Sequence, residues 1–298
     1  MVYTVTLNPA LDYYLSINEI KDDIQKAERT SLNYGGKGIN VSVILSNLGI
    51  ENTALGFLGG FSGKKVEELL SKEKIDTDFV WFDGDTRINV KVTGATELTI
   101  NTQGPSITLK DEQKLLSKLS DIQHGDYLVL SGSVPNSMGE FAYERILDYI
   151  GNKKINLVVD TTGKKLKGLL KYNPFMIKPN NFELEEIMDK KLESQNDIIL
   201  AAKELQKQGA KNVLVSLGKN GMLLLDENGE INTEPIIDGK VKNTTGCGDS
   251  AVAGFIAGYI RKNDYRAALR LASICGNATA FSNTLASRKE LMKLMNMM

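Results

Sequence analysis

Short runs of aliphatic and β-branched residues alternate along the chain with longer segments whose apolar residues recur every three or four positions. This alternation is typical of an α/β fold with a largely parallel sheet. The predicted strands of the main sheet cover residues 2–7, 53–58, 127–130, 157–159, 175–177 and 213–216. The predicted helices cover residues 40–48, 64–71, 111–119, 140–150, 198–208, 264–282 and 287–295.

Two segments, residues 13–33 and 86–102, interrupt this rhythm. The second is rich in Thr, Val and Ile at alternating positions around Gly94, which is typical of an antiparallel hairpin. We predict that both segments form a small sheet apart from the main one, inserted in a single domain that spans residues 1–298. Such a layer could cover a cleft or pair with a second subunit.

The composition is that of an ordinary globular protein. The chain has 298 residues, of which 42% are hydrophobic, and a formal net charge of -1. This charge gives no overall electrostatic reason to bind nucleic acid or an anionic membrane, so any phosphate binding must be local. The longest strongly apolar stretch, residues 251–260, is far shorter than the roughly 20 residues that a membrane span needs.

Cysteine and histidine are scarce. Cys247 and Cys275 are the two cysteines, which excludes a disulfide framework and a four-cysteine zinc site. His124 is the single histidine, and its polar neighbours predict a surface turn. Catalysis or metal binding through histidine is therefore disfavoured. The start of the chain lacks the pattern of a secretory signal, and we expect a cytoplasmic protein.

Residues 243–250, NTTGCGDS, lie directly before a strongly apolar helical segment. The amides of Gly246, Cys247 and Gly248 can converge on one oxyanion, because glycine allows close approach and the helix end is electropositive. Asp249 then lies where it can accept a proton from a hydroxyl that attacks this anion. The alternative is a tight turn with an aspartate cap.

Residues 35–40, GGKGIN, also precede an amphipathic helix. The backbone around Gly36 and Gly38 could hold an anionic or polyhydroxylated ligand, with Lys37 and Asn40 adding directional contacts; a flexible loop is the alternative. The phosphate loop of nucleoside triphosphatases is excluded, because Leu58 and Lys65 occupy positions where it requires glycine and Ser or Thr. No glycine fingerprint of dinucleotide oxidoreductases follows the first strand.

Two long patterns together resemble the ribokinase-like sugar kinases, also called the phosphofructokinase B family. They are GGKGINVSVILSNLG near the N-terminus and NTTGCGDSAVAGF near the C-terminus. The resemblance covers essentially the whole chain. It implies a three-layer αβα core with a mostly parallel sheet, a small β-sheet lid, and ATP as the phosphoryl donor.

The resemblance also implies roles for the C-terminal motif. Asp249 would deprotonate the acceptor hydroxyl, while Gly246, Cys247 and Gly248 would form the anion hole for the transferred group. The family usually has a smaller residue such as Ala or Ser at position 247. A thiol at a helix N-terminus can have a depressed pKa, so we expect Cys247 to react with thiol reagents.

The resemblance implies further residues for ATP and Mg²⁺. Asn180 and Glu183 would act on Mg²⁺ through water and phosphate; their alternative is a capping box at a helix start. Ser216, Gly218 and Gly221 would form a nucleotide loop, although the same residues also predict a hairpin turn. The other residues expected at the nucleotide are Asp160, Lys178 and Asn277.

For the acceptor, Asp12 resembles the family's sugar-binding aspartate; a turn or helix cap is the alternative. Arg87, Asn89 and Lys91 share one face of a predicted strand and form a cationic surface suited to a sugar phosphate. The alternative is a solvated face of the lid. Ser131 and Ser133 could complete this pocket.

Within the family, the segments TLNPALD, GGKGIN, TRINVK and SGSVP together resemble those of members that phosphorylate fructose 1-phosphate. The resemblance therefore implies this acceptor, with tagatose 6-phosphate as the alternative. Two other hypotheses remain open: a non-catalytic sugar-phosphate binding protein, and a kinase of nucleosides or free sugars. The resemblance also implies a homodimer formed through the lid sheets, because a small open sheet leaves unpaired edges.

Overall fold

The computed structural model describes residues 1–17, 26–93 and 98–297. The predicted turn at Gly94 lies outside the described residues. The strands are β1 (Val2–Thr6), β2 (Ala10–Ser16), β3 (Arg29–Gly35), β4 (Asn52–Gly59), β5 (Asp76–Thr77), β6 (Val80–Phe82), β7 (Arg87–Thr93), β8 (Leu98–Ile100), β9 (Tyr127–Ser131), β10 (Asn156–Asp160), β11 (Met176–Ile177), β12 (Asn212–Ser216), β13 (Met222–Leu225) and β14 (Ile231–Glu234).

The helices agree with the predicted ones to within a few residues at their ends, and α5 and α6 were not predicted. They are α1 (Lys37–Asn47), α2 (Gly60–Lys72), α3 (Leu109–Lys118), α4 (Ala142–Ile150), α5 (Gly163–Leu169), α6 (Asn181–Met188), α7 (Gln195–Lys207), α8 (Cys247–Lys262), α9 (Tyr265–Ala280) and α10 (Arg288–Met297). Among the described residues, no helix has both the length and the apolar character that a membrane crossing requires.

The main sheet has the strand order β14-β13-β12-β11-β10-β9-β1-β4-β5, and β6 also pairs with β4. Its strands are parallel from β12 to β5, and β13 and β14 add an antiparallel edge. Every residue of β9 is buried, as expected for a strand covered by helices on both faces. The predicted mostly parallel sheet is confirmed.

Helices cover both faces of this sheet and give the predicted three layers. Leu115 and Leu205 belong to a buried cluster that packs α3 to α7 against one face. Leu45 and Phe255 belong to a second cluster, which packs α1, α8, α9 and α10 against the other face. A third, smaller cluster around Leu70 joins α2 to the base of the second sheet.

The second sheet, called the lid below, has the strand order β3-β2-β7-β8. Strand β2 pairs antiparallel with β3 and parallel with β7, and β7 and β8 form the predicted antiparallel pair. Strand β2 begins at Ala10, three residues before the predicted start of the lid. Asp12 therefore lies on a lid strand, directly opposite Asn89 of β7.

The carboxyl ends of the parallel strands meet the N-terminal ends of two helices at one edge of the main sheet. Thr6 ends β1, while Ser131 and Asp160 are register partners at the ends of β9 and β10. Helices α1 and α8 pack against each other on one face of the sheet, and each begins at this edge. Open α/β sheets bind their ligands at such an edge.

Candidate active site

A cavity of about 500 Å³ lies between this edge and the lid. It brings together most of the residues that the sequence indicated. The predicted residues that line it are Asp12, Gly36, Lys37, Asn40, Arg87, Asn89, Lys91, Ser133, Asp160, Lys178, Asn180, Glu183, Ser216, Gly246, Gly248 and Asp249. Residues that lie up to 237 positions apart in the chain thus form one polar site.

Six predicted residues are not part of the cavity lining: Gly38, Ser131, Cys247, Gly218, Gly221 and Asn277. Ser131 is fully buried at the end of its strand. The amide of Asn277 donates to the carbonyl oxygen of Ser273 and accepts from the N–H of Ile237, so its predicted role at the nucleotide stays a prediction. Five lining residues were not named as site residues from the sequence: Thr6, Asn8, Gly35, Gly132 and Thr245. Of these, Gly35 and Thr245 lie within the two glycine motifs.

The N-terminal end of α8 has the geometry of an anion site. Gly246 caps the helix with φ of 83°, in the left-handed region. The left-handed backbone favours glycine here, and a Cβ would lie 2.5 Å from Cδ2 of Leu285, so that side chain would have to shift. The first amides of a helix have no partners within it. The N–H of Cys247 donates to the carbonyl oxygen of Thr244 at 3.5 Å, while Gly246 and Gly248 line the cavity at the positive end of the helix dipole.

Asp249 lies in the first turn of α8 and is only 6% exposed. Its Oδ2 accepts a hydrogen bond of 2.7 Å from Nδ2 of Asn40. Burial and the nearby charge of Asp160 raise the pKa of Asp249 to about 6, although Asn40, Lys37 and Lys178 oppose the rise. With this pKa the carboxylate is mostly ionised near pH 7, which suits a base that works near neutral pH.

Two lysines converge on the buried carboxylate of Asp160. Nζ of Lys37 lies 3.4 Å and Nζ of Lys178 lies 3.5 Å from the same oxygen, Oδ1. Burial tends to raise the pKa of Asp160, but the two ammonium groups outweigh it and hold the pKa below its usual value. A Cβ on Gly248 would lie 3.1 Å from Nζ of Lys178, so this ammonium lies beside the anion site.

Cys247 does not have the reactive character expected for it. Its thiol contacts the carbonyl oxygen of Asn243 at 3.6 Å. Burial and the charge of Asp249 raise its pKa to about 11. The predicted depression of the pKa is therefore wrong, because desolvation and a neighbouring carboxylate outweigh the helix end. We now expect slow reaction with thiol reagents at neutral pH.

On the lid, Asp12 is held by two donors that come from β7. Its Oδ1 accepts from Nδ2 of Asn89 at 2.9 Å, and its Oδ2 accepts from Nζ of Lys91 at 2.5 Å. Nζ of Lys91 also donates to the hydroxyl of Tyr14 at 3.1 Å. Burial lowers and Asp12 raises the pKa of Lys91, with a net rise. This network fixes Asp12 at the wall of the cavity.

Arg87 is engaged by the backbone. Its guanidinium donates to the carbonyl oxygens of Pro9, Asn8 and Thr102, and burial lowers its pKa. Together with the Asp12–Lys91 pair, these bonds leave the cationic face less free than the strand pattern implied. The guanidinium has five N–H donors, and the three backbone bonds do not use all of them. Because Arg87 lines the cavity, its remaining N–H donors can bind an anionic ligand.

Residues 5–288 match the sequence profile of the pfkB family carbohydrate kinases. The chain belongs to this family. It is thus a phosphotransferase that acts on a sugar hydroxyl, with ATP as co-substrate. It is 37% identical to a 1-phosphofructokinase of Bacillus subtilis, over 99% of this chain and 97% of the relative. It is also 37% identical to a D-tagatose-1-phosphate kinase of Bacillus licheniformis, over 98% of this chain and 96% of the relative.

A solved structure supports the fold of this pfkB kinase. The structure of phosphofructokinase-2 from Escherichia coli, in complex with fructose-6-phosphate, superposes with a TM-score of 0.92. It is 26% identical in sequence and is matched over 99% of this chain and 98% of that chain. The α/β core with a second small sheet is therefore the fold of a sugar kinase.

In this kinase, the predicted nucleotide loop is also a hairpin. Strands β12 and β13 pair antiparallel, with Ser216 opposite Met222. The N–H of Leu217 bonds to the carbonyl oxygen of Gly221, which has φ of 85°. Ser216 lines the cavity while Gly218 and Gly221 form the turn behind it, so the two interpretations of this motif are compatible.

Asn180 and Glu183 form the reciprocal cap that was the alternative to a role at Mg²⁺. Oδ1 of Asn180 accepts from the N–H of Glu183, and Oε2 of Glu183 accepts from the N–H of Asn180, both at 2.8 Å. Both residues also line the cavity. The cap leaves Oε1 of Glu183 as an acceptor, so the motif can cap α6 and still bind a water of a hydrated cation.

Proposed function

We propose that this enzyme transfers the γ-phosphoryl group of ATP to the 6-hydroxyl of fructose 1-phosphate and forms fructose 1,6-bisphosphate. The observation that carries the proposal is the position of Asp249. This carboxylate, with its pKa of about 6, lies in the first turn of the helix whose amides form the anion site. Across the same cavity, the lid presents Arg87 and Lys91.

In the proposed reaction, the sugar lies between the lid and α1, and Asp12 accepts hydrogen bonds from its hydroxyls. The amides of residues 246–248 hold the γ-phosphoryl group, and Lys178 offsets its charge. Asp249 accepts the proton of the attacking hydroxyl as the new O–P bond forms, while the bond between the γ-phosphorus and the β–γ bridging oxygen breaks and ADP leaves. Alignment of the two substrates and stabilisation of charge account for most of the acceleration in such phosphoryl transfers.

Mg²⁺ fits this site as an ion held through water and phosphate. In the part of the chain that the structure describes, no group of three or more His, Cys, Asp or Glu residues could hold a metal directly. A direct protein cage is therefore not expected within those residues. Mg²⁺ retains several waters when it binds with nucleotide phosphates, and we propose that Asn180 and Glu183 orient these waters. The ion would neutralise charge on the phosphates.

A second acceptor is favoured by the relative from Bacillus licheniformis, whose name specifies D-tagatose 1-phosphate. This sugar also carries its phosphate on C1 and a free 6-hydroxyl, and it differs from fructose 1-phosphate in configuration at C4. It is therefore a better second candidate than the tagatose 6-phosphate predicted from the sequence, whose phosphate is at the other end of the sugar.

An acceptor screen tests the proposed function. ADP release would be measured with fructose 1-phosphate, both tagatose phosphates, fructose 6-phosphate, free fructose and a nucleoside. We expect kcat/KM to be highest for fructose 1-phosphate and at least about a hundredfold lower for free fructose, because the lid donors would lose their anionic partner. Equal kcat/KM values for free fructose and fructose 1-phosphate would refute the proposal.

The variant Arg87→Ala should raise KM for fructose 1-phosphate by about tenfold or more, because a charge-assisted contact to the phosphate is lost. KM for ATP should stay within a factor of two or so, since Arg87 belongs to the lid. Arg29→Ala is the matched control, because Arg29 is an exposed lid arginine of β3. An effect of the same size in both variants would argue against a phosphate contact.

We also propose that two copies pair through their lids. Leu98 and Ile100, which are 45% and 49% exposed, lie at the edge strand β8, and an exposed apolar edge favours pairing with another chain. Light scattering should give twice the chain mass of 32.7 kDa. Leu98→Lys with Ile100→Lys should lower that mass, and a wild-type monomer would contradict the proposal.

Both cysteines are free thiols. Unpaired thiols support the proposal that the enzyme works in a reducing compartment such as the cytoplasm. The net charge of -1 gives the enzyme no overall attraction for nucleic acid. We propose that its partners are small anions and a second copy of the chain, and not nucleic acid.

A further inference from the structure

Asn40 belongs to the motif that the sequence analysis assigned to substrate binding, but in the structure its amide is directed to Asp249. Nδ2 of Asn40 donates to Oδ2 of Asp249 at 2.7 Å. The two residues are 209 positions apart. They meet because α1 and α8 pack side by side and begin at the same edge of the sheet.

The bond has two physical consequences for the carboxylate. Because the donor occupies Oδ2, it restricts rotation of the carboxylate and leaves Oδ1 to receive a proton. Because the bond stabilises the ionised form, it opposes the burial and the charge of Asp160 that raise the pKa of Asp249. A donor in this position therefore decides both the orientation and the ionisation of the group.

Several other groups face Asp249 from the surrounding elements. Lys37 comes from the start of α1, Asp160 ends β10, and Lys178 follows β11. Cys247 precedes it on α8 with a raised pKa, so it stays neutral near pH 7. Within the described residues, the side-chain hydrogen bond that the carboxylate of Asp249 accepts comes from the amide of Asn40. The two lysines are paired with Asp160 instead.

We infer that Asn40 is a positioning residue for the base: its amide orients the carboxylate of Asp249 and keeps it ionised at neutral pH. The inference rests on the proposed function, in which Asp249 accepts the proton of the acceptor hydroxyl. A residue that only contacted the sugar would change KM for the sugar and leave the titration of Asp249 unchanged. The two roles therefore differ in a measurable way.

The primary test is the titration of Asp249 in the free enzyme, followed by carbon-13 NMR of aspartate carboxyl groups and assigned with Asp249→Asn. Asn40→Ala should raise the midpoint by roughly one pH unit, because a hydrogen bond to a charged group is lost. Asn40→Leu, which retains about the same volume and removes the donor, should raise it by a similar amount. Asn40→Leu also carries the test if the alanine variant does not fold.

The matched control is Asn89→Ala. Asn89 lines the same cavity and donates to a different carboxylate, Asp12, at 2.9 Å. This variant should raise KM for the sugar phosphate and leave the Asp249 midpoint at its wild-type value. An unchanged or lowered midpoint in both Asn40 variants would overturn the inference, as would an equal shift in Asn89→Ala.

The kinetic counterpart is the acid limb of kcat against pH. In Asn40→Ala this limb should move to higher pH, so that the loss of kcat is larger at pH 6 than at pH 8. An unmoved limb would overturn the inference. The NMR titration uses no substrate, so it tests Asn40 even if fructose 1-phosphate is not the acceptor. A failure of the proposed function and a failure of this inference are thus distinguishable.

Discussion

Asp249→Asn should lower kcat with fructose 1-phosphate by at least about a hundredfold, because general-base assistance contributes that much or more. The substitution keeps the shape of the side chain and removes its ability to accept a proton. The wild-type rate should fall as the pH drops through about 6, where Asp249 becomes protonated. The residual rate of the variant should lack this limb, and ATP affinity should change little. Steady-state kinetics between pH 5 and 8 checks these four expectations.

Asp226→Asn is the matched control for this substitution. Asp226 is also buried, but its Oδ1 accepts from the N–H groups of Asn228 and Glu230 in a turn remote from the cavity lining. It should retain kcat within a factor of two or three. If Asp249→Asn retained more than about a tenth of the wild-type kcat, general-base catalysis by this residue would be excluded.

The second large effect is expected for Lys178→Met, with kcat lowered by about a hundred- to a thousandfold. Lys178 is 5% exposed, and its ammonium lies between Asp160 and the first turn of α8. A preorganised cation in a site with little water stabilises charge that develops on the transferred group. KM for the sugar phosphate should change little. Lys37 is paired with the same carboxylate, but its side chain is 36% exposed. Lys37→Met should therefore lower kcat less than Lys178→Met.

Removal of Lys178 also leaves Asp160 with one partner, which should lower the melting temperature. The double variant Lys178→Met with Asp160→Asn separates the two effects. It should recover part of the lost stability, because no buried charge is left without its partner, and it should not recover kcat. Recovery of kcat in the double variant would show that the loss came from the charge of Asp160 with Lys37 as its one remaining partner, contrary to the proposed role of Lys178.

Much of the fold follows from local patterns. The apolar spacing of Val41, Ile44, Leu45 and Leu48 predicted α1, and all four residues are at least nine-tenths buried in the second cluster. The alternation in residues 86–102 predicted the lid pair that β7 and β8 form. Periodicity succeeds here because it reflects which faces are covered, whatever covers them. Periodicity did not predict the order of the strands in either sheet, and it did not predict that the lid begins at Ala10.

The sequence by itself determined the family, the glycines that open α1 and α8, and the residue types at the site. A sequence motif contains these features because the backbone conformation and the identity of the reacting groups are set by residues that are close together in the chain. The tertiary structure alone decided how these groups act on one another. It directed Asn40 to Asp249, brought Asp160 close enough to raise the pKa of that base, and reversed the expected shift at Cys247. Desolvation and charge interactions depend on burial and on distances between residues remote in the chain, which no local pattern contains.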